Sequence, residues 1–173
     1  MKLFFQDEAR FGRINKTSRC WVPKGQRATV SQQIVREFIY AFTAVCPETG
    51  ENYSLILPKV NTEAMNMFLK CISDHYKNYR IIMAMDKAGW HRSKDLKVSD
   101  NMVLMYLPPY APELNPTETI WNYIRETKEF NNHLFNSLDE VEEKLSKALF
   151  DINKDEKTIN SLCNFKWIDC AIR

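Results

Sequence analysis

The run Ile81-Ile82-Met83-Ala84-Met85, closed by Asp86, constrains the fold more than any other stretch of the chain. Consecutive apolar residues without alternation suit a central strand covered on both faces, and so a sheet lying between two helical layers. A carboxylate placed directly after such a strand is poor for stability and typical of a site. The residues on either side must therefore supply further strands, two helical layers and a reason for Asp86.

Upstream, Leu3 to Glu8 reads as a strand rich in aromatics. Its alternation places Leu3, Phe5 and Asp7 on one face and Phe4, Gln6 and Glu8 on the other. Asp7 is the acid expected at the sheet edge or in a site, with Glu8 as its rival. Arg36 to Val45 is a second long strand, Pro47-Glu48-Thr49-Gly50 a turn, and Asn52 to Leu57 a third strand, so that the last two pair as a hairpin. Asn61 or Thr62 caps a helix whose Met65, Phe68, Leu69, Ile72 and Tyr76 share one face. After Asp86 the chain turns through a short helix ending near Leu96, and Asn101 to Leu107 forms another strand.

A proline-stiffened loop follows, Tyr106-Leu-Pro-Pro-Tyr-Ala-Pro-Glu-Leu-Asn-Pro-Thr-Glu118. Asn115 suits the N-cap of a helix and Pro116 its first position. Glu118 then sits in the first turn, where the helix dipole favours a carboxylate. Two readings of Glu118 stand side by side: the far end of a capping box, or a site acid. Beyond it, Glu118, Asn122 and Arg125 share a face, while Ile120, Trp121 and Ile124 pack inward. Ser137-Leu-Asp-Glu140 opens a second long helix with Val141, Leu145, Ala148, Leu149 and Ile152 on its apolar side. A short terminal segment carries Ile159, Leu162, Phe165 and Trp167.

At 173 residues the chain is one domain with room for a proper core. No apolar run spans a bilayer, and no leader precedes Gln6-Asp7-Glu8, which points to a cytoplasmic, nucleoid-associated protein without membrane contact. Five cysteines (Cys20, Cys46, Cys71, Cys163, Cys170) form no C-x-x-C pair, so reduced, buried thiols are expected and zinc is not. The net charge of +2 hides an asymmetry. Between Ala9 and Arg36 the chain carries Arg10, Arg13, Lys16, Arg19, Lys24, Arg27 and Arg36 and no acid, whereas Asp139 to Glu156 is rich in acids. The basic stretch reads as a hairpin insertion over 9–36, with Gly12, Pro23 and Gly25 as turn markers and short strands at Ser18–Val22 and Gln26–Val30. It is either a polyanion-binding face or a solvated hairpin. Trp21 stacks on a base or fills a core gap.

The element order is strand, strand, strand, helix, strand, strand, helix, helix. That order suits an α/β, ribonuclease-H-like fold: a mixed central sheet, antiparallel at first and then parallel, flanked by helices. In such a layout Asp7, Asp86 and Glu118 reach one point. Three acids with about two divalent ions are a device for phosphodiester chemistry, and magnesium needs few carboxylates because it keeps several waters. Without metal the three carboxylates repel one another, a cost the cluster relieves by taking up a proton or a cation.

The blocks Asp86-Lys-Ala-Gly-Trp-His-Arg-Ser and Leu-Pro-Pro-Tyr-Ala-Pro-Glu-Leu-Asn-Pro-Thr-Glu118-Thr-Ile-Trp, with the opening Phe-Gln-Asp7-Glu-Ala-Arg-Phe-Gly, resemble the catalytic domain of bacterial insertion-sequence transposases of the mariner-like DDE superfamily. The resemblance runs from about Phe4 to Phe130, and Glu118 follows Asp86 by 32 residues, close to the family's habit. It implies that Asp7, Asp86 and Glu118 bind Mg2+, which Mn2+ replaces, and catalyse cleavage and strand transfer at transposon ends. Double-stranded DNA, both ends and target, is the implied partner. A homodimer and an upstream DNA-binding polypeptide from a split reading frame are further implied partners. DNA contacts are expected from Arg10, Arg13, Lys16, Arg19, Lys24, Arg27, Lys87, His91, Arg92 and Arg125.

Lys87 stands where the family often has asparagine; it contacts phosphate or weakens metal binding. His91 touches DNA, orients a site acid or is structural. Arg125 holds a phosphate or pairs with Glu118. The family's helix-turn-helix modules are not expected before Asp7, so the chain reads as a catalytic half, a split-frame product or a truncated remnant. Two other classes stay open: a catalytically silent nuclease-like fold that binds DNA or a partner transposase, and a hydrolase of RNA–DNA hybrids.

Overall fold

In the computed structural model, residues 1–128 and 130–168 are described, with the Arg92 side chain outside that set. Five strands form one sheet in the order β3-β2-β1-β4-β5. They are β1 (Lys2–Ile14), β2 (Ile34–Val45), β3 (Asn52–Leu57), β4 (Ile81–Met85) and β5 (Met102–Tyr106). The first three make an antiparallel meander, while β4 and β5 run parallel to β1. Helix α1 (Thr62–His75) covers one face; α2 (Thr117–Thr127), α3 (Leu138–Asn153) and α4 (Glu156–Cys163) cover the other.

The residues explain the layering. Phe4, Phe42, Ile81, Met83 and Met85 face α1, whose Met65, Phe68, Leu69 and Ile72 are fully buried on one stripe. Burying each such side chain stabilises the fold by roughly 1.5–3 kcal/mol. Phe5, Ala9, Phe11, Ala41 and Val45 point the other way, onto Trp121, Ile124, Val141, Leu145 and Ile159. Strand β4 contributes to both layers, Met83 to one and Ala84 to the other, as its unbroken apolar run requires. Asn61 Oδ1 caps α1 by accepting from Ala64 N (2.8 Å), and Ser137 Oγ does the same for α3 from Glu140 N (3.1 Å).

The basic stretch departs from expectation. Strand β1 runs on to Ile14, so Arg10 and Arg13 lie on the sheet and not on a separate hairpin. Gly12 is no turn: it sits at a bulge, where an added Cβ would come within 2.2 Å of Glu37 O on β2. Residues 15–33 form an irregular arm with no strands at 18–22 or 26–30. Its base is tied by Asn15, which donates to Ser31 O (2.9 Å) and accepts from Gln33 N (2.8 Å). Trp21 fills no core gap; its side chain stands fully in solvent. Nor are all the thiols buried: Cys46 and Cys163 are, Cys20 is exposed, and Cys170 lies outside the described residues. Among the described residues no helix is long and apolar enough to cross a membrane.

Candidate active site

Asp7, Asp86 and Glu118 come from three different elements and line one cleft of about 580 Å3. Asp7 lies on β1 two residues beyond the last pairing of that strand with β4, Phe5 with Ala84. Asp86 is the residue after β4, and Glu118 stands in the first turn of α2. Lys87 and Tyr110 stand on its exposed rim, and the buried Asn115 is among its other lining residues. Tyr110, at the tip of the proline loop, holds a left-handed backbone (φ 59°) with its ring bare.

The start of α2 is stitched onto β1. Asn115 Oδ1 accepts from Thr117 N (3.2 Å), as a cap should, and Pro116 already has helical angles. The same Asn115 donates from Nδ2 to Gln6 O (3.0 Å), and Thr117 Oγ1 donates to Phe5 O (2.7 Å). Glu118 does not turn back to close a capping box; among the described residues its carboxylate accepts no hydrogen bond. It faces the cleft instead.

The two rivals on β1 separate as the strand period requires. Asp7 turns toward α2, where its Oδ2 accepts from the Trp121 indole N–H (2.8 Å). Glu8 turns the other way and accepts from Trp90 Nε1 (3.1 Å) and His91 Nε2 (2.9 Å). His91, 1% exposed, also sets Nδ1 2.7 Å from Asp86 Oδ1, which takes the Ala88 N–H as well (2.8 Å). Its ring is thus enclosed between two carboxylates and is not presented to a DNA phosphate, a geometry that suits both a structural histidine and one that orients Asp86.

Electrostatics divide the three acids. Burial, and then the charge of Glu118, push the Asp7 carboxyl up to about 7, against the opposing bond from Trp121. Asp86 goes the other way: the His91 hydrogen bond holds it below the usual carboxylate range despite partial burial. Like-charge repulsion thus shows at Asp7, whereas Asp86 has a cation of its own. Burial alone would lower His91, but its bonds to Asp86 and Glu8 outweigh that and raise it to about 10.

The remaining candidates scatter. Arg13 is committed to the fold, donating to Glu37 (2.8 Å) and to Phe135 O (3.0 Å). Arg10 lies 4.4 Å over the Phe38 ring. Lys16, Arg19, Lys24 and Arg27 are exposed on the arm, and the Arg92 side chain lies outside the described residues. Arg125 stacks 5.3 Å from the Phe11 ring, and among the described residues it makes no ion pair with Glu118, although the charges of Glu118 and Asp7 both act on it. Trp121 went unrecognised as a site residue; its signal was there, one turn after Glu118 on the same helix.

The donor set suits a hard divalent cation. All three groups are carboxylates, Asp7 is mostly buried beside a like charge, and among the described residues Asp86 Oδ2 has no hydrogen-bond partner. Among the described residues no three His, Cys, Asp or Glu side chains are drawn together tightly enough to form a metal cluster. The carboxylates line the cleft without closing on one point.

The chain is 41% identical over 103 residues to the uncharacterised protein y4pE/y4sA of Sinorhizobium fredii, covering 59% of this chain and 76% of that one. Its fold matches the Mos1 mariner paired-end complex with Mn, with a TM-score of 0.65 at 16% identity over 94% of this chain and 54% of that one. The Mos1 transposase paired-end complex with left transposon end matches at 0.62 and 16%, over 95% and 56%. The chain thus has the ribonuclease-H-like fold of that transposase and spans a little over half its length. Residues 2–142 match the family model described as DDE superfamily endonuclease, and the chain belongs to that family.

Proposed function

We propose that this chain is the catalytic unit of an insertion-sequence transposase, cutting and joining phosphodiester bonds at transposon DNA ends with divalent metal. The observation that carries the reading is the convergence of Asp7, Asp86 and Glu118 from a strand, a strand end and a helix start on one open cleft. Mg2+ or Mn2+ bound there would neutralise charge and favour deprotonation of an oxygen nucleophile. Asp7, Asp86 and Glu118 are the residues that would hold it. The chain's own groups do the rest. Asp7 sits mostly buried on one wall, Lys87 offers a positive charge at the rim, and Lys16, Arg19, Lys24 and Arg27 on the arm attract the DNA backbone. Recognition of the end sequence by modules outside these residues, on the same or a partner polypeptide, and pairing as a homodimer belong to the same proposal.

The test is nicking of supercoiled plasmid DNA in Mn2+ by the wild type and by Asp7→Ala, Asp86→Ala and Glu118→Ala. Each variant should keep its circular dichroism spectrum and lose at least about 100-fold in rate. Full activity in any one of them removes that residue from the site. No nicking by the folded wild type favours the silent reading, for which Lys87 beside Asp86 is the motivating observation. Cleavage of an RNA–DNA hybrid in preference to duplex DNA favours the hydrolase.

A further inference from the structure

The three acids of the cleft are not anchored alike. Asp7 accepts from the Trp121 indole N–H (2.8 Å) and from the Glu8 backbone N–H. Asp86 accepts from Ala88 N (2.8 Å) and stands 2.7 Å from His91 Nδ1. Among the described residues the Glu118 carboxylate accepts no hydrogen bond, so the backbone of the first turn of α2 decides where it reaches. Strand β1 holds that turn on one side through Asn115 and Thr117. Helix α4 holds it on the other. Thr119 Oγ1 lies 2.6 Å from Pro116 O and 3.2 Å from Leu162 O. Cys163 Sγ lies 3.4 Å from Pro116 O and 3.6 Å from Thr119 Oγ1. The hydroxyl carries one proton. Given to Leu162 O, it satisfies a carbonyl in the last turn of α4, where partners along the helix run out. Given to Pro116 O, it leaves the Cys163 thiol to donate to Thr119 Oγ1 or to Pro116 O. In each case a hydrogen bond crosses from α4 to the start of α2.

The rest of α4 is tied as well. Asn160 Nδ2 donates to Pro47 O (2.8 Å) and Glu48 O (3.0 Å) in the turn between β2 and β3. Gly50, with φ 78°, presses so close to Glu156 that a Cβ there would strike the Glu156 carbonyl. Ile159 and Cys163 are fully buried in the core beneath. Helix α4 is thus a strut from the β2–β3 turn to the back of the turn that carries Glu118.

We infer that α4 is the positioning element for Glu118, with Thr119 and Cys163 as its positioning residues. The inference rests on the reading of the cleft as a divalent-metal site. An acid without an anchor of its own is placed only as well as its backbone is held, and a misplacement of about 1 Å can cost about 100-fold in rate. Asp7 and Asp86 carry their own anchors; Glu118 borrows one. The lender lies beyond residues 2–142, the part of the chain that matches the endonuclease family model.

The experiment compares Thr119→Val, which keeps the shape and removes the hydroxyl, with Thr119→Ser, which keeps the hydroxyl. Binding of Mn2+ to the folded chain is read by electron paramagnetic resonance. Nicking of supercoiled plasmid is titrated with Mn2+, and thermal unfolding in chelator checks the fold. Thr119→Val should weaken Mn2+ binding about 10-fold, the usual scale for losing a group that orients a metal ligand. The Mn2+ concentration for half-maximal nicking should rise by a similar factor, while the DNA concentration for half-maximal rate stays put. Thr119→Ser should return both Mn2+ values to near those of the wild type. Asn160→Ala, which loosens the strut at a residue that does not line the cleft, should weaken Mn2+ binding by a smaller factor. It carries the test if Thr119→Val does not fold. A lower melting temperature in both variants, with Mn2+ binding per folded molecule unchanged, would make α4 merely structural and overturn the inference. Glu118→Gln tells that failure from a deeper one. If it loses Mn2+ binding and nicking while Thr119→Val and Asn160→Ala behave as the wild type does, the strut fails and the metal site stands. Should Glu118→Gln bind Mn2+ and nick as the wild type does, Glu118 is no site acid and the underlying reading fails with the inference.

Discussion

The two ends of the sheet treat a half-buried carboxylate in opposite ways. At the start of β1, Lys2 forms an ion pair with Glu51, which precedes β3, and the ammonium also lies 4.5 Å over the Tyr79 ring. Burial pushes Glu51 up, but the bonds from Lys2 and Thr49 together with the neighbouring positive charge hold it below the usual carboxylate range. At the other end, Asp7 is buried beside Glu118 and, among the described residues, has only a neutral indole as side-chain donor, and its carboxyl is raised to about 7. The first arrangement completes itself within the chain. The second leaves charge unbalanced, which costs stability and persists where a site needs it.

The contrast can be broken experimentally, and the largest effect should come from metal. Mg2+ at about 100 times its dissociation constant should add roughly 2.7 kcal/mol to wild-type stability, read as a melting shift against chelator at matched ionic strength. Lys2→Met should keep the shift and Asp7→Asn should lose it. A shift that vanishes in Lys2→Met instead would mean that the cation binds at the wrong end.

Next in size is Asp7→Asn in chelator: the raised pKa alone corresponds to about 4 kcal/mol at pH 8, and weakening the Trp121 hydrogen bond to the lost carboxylate takes back part of it, for a net stabilisation of about 2 kcal/mol. The sign follows from the raised pKa. The folded state holds the Asp7 proton more tightly than the unfolded chain, so stability falls as pH climbs from about 4 to about 7. Asparagine removes that fall, and its advantage should fade toward pH 4. Asp86→Asn should do the reverse and destabilise, because it takes an anion away from His91. A stabilised Asp86→Asn would show that the repulsion is shared after all.

Glu51→Gln sharpens the comparison with a smaller effect of opposite sign. It should destabilise by about 1 kcal/mol near pH 7, the scale of a partly exposed ion pair. Since Glu51 titrates below its ordinary 4.5, the pair's contribution is present above that value and is lost as pH falls through the lowered one. Denaturant titrations of Asp7→Asn and Glu51→Gln between pH 4 and 8 should diverge with rising pH; parallel curves would erase the distinction.

The smallest effect concerns the arm. Replacing Arg19, Lys24 and Arg27 together by glutamine should reduce the slope of log affinity against log salt for duplex DNA by about 0.9 per lost phosphate contact. Arg13→Gln should chiefly lower stability, because Arg13 is bonded to Glu37 and Phe135. An unchanged slope in the triple variant would remove the arm from the DNA interface.

What could be read in the sequence was what depends on local period. The stripe Met65, Phe68, Leu69, Ile72 repeats at helical spacing, and those side chains are buried. The alternation along β1 separated Asp7 from Glu8 before any contact was known, and the unbroken Ile81–Met85 run placed β4 inside the sheet. What could not be read depends on partners far along the chain. Trp121 reaches Asp7 across 114 residues, and His91 reaches Glu8 across 83. The arm misled for the same reason: Trp21, Val22 and Val30 have strand propensity, but propensity forms no strand without a neighbouring backbone to pair with. Gly12 looked like a turn because its real constraint, the close approach of Glu37, is also non-local.

Asn115 and Thr117, bonded to the carbonyls of Gln6 and Phe5, have a bearing on how this scaffold tolerates insertions and deletions. Upstream of them, the exposed loop through Pro108, Pro109 and Tyr110 can lengthen or shorten at modest entropic cost, since it closes over solvent. Between Asn115 and Glu118 there is no such freedom. One residue added there, with the anchor held, turns the Glu118 carboxylate about 100° around the helix axis and away from Asp7. The segment is a ruler four residues long, and any circular permutation, loop graft or redesign of the cleft must leave its length untouched.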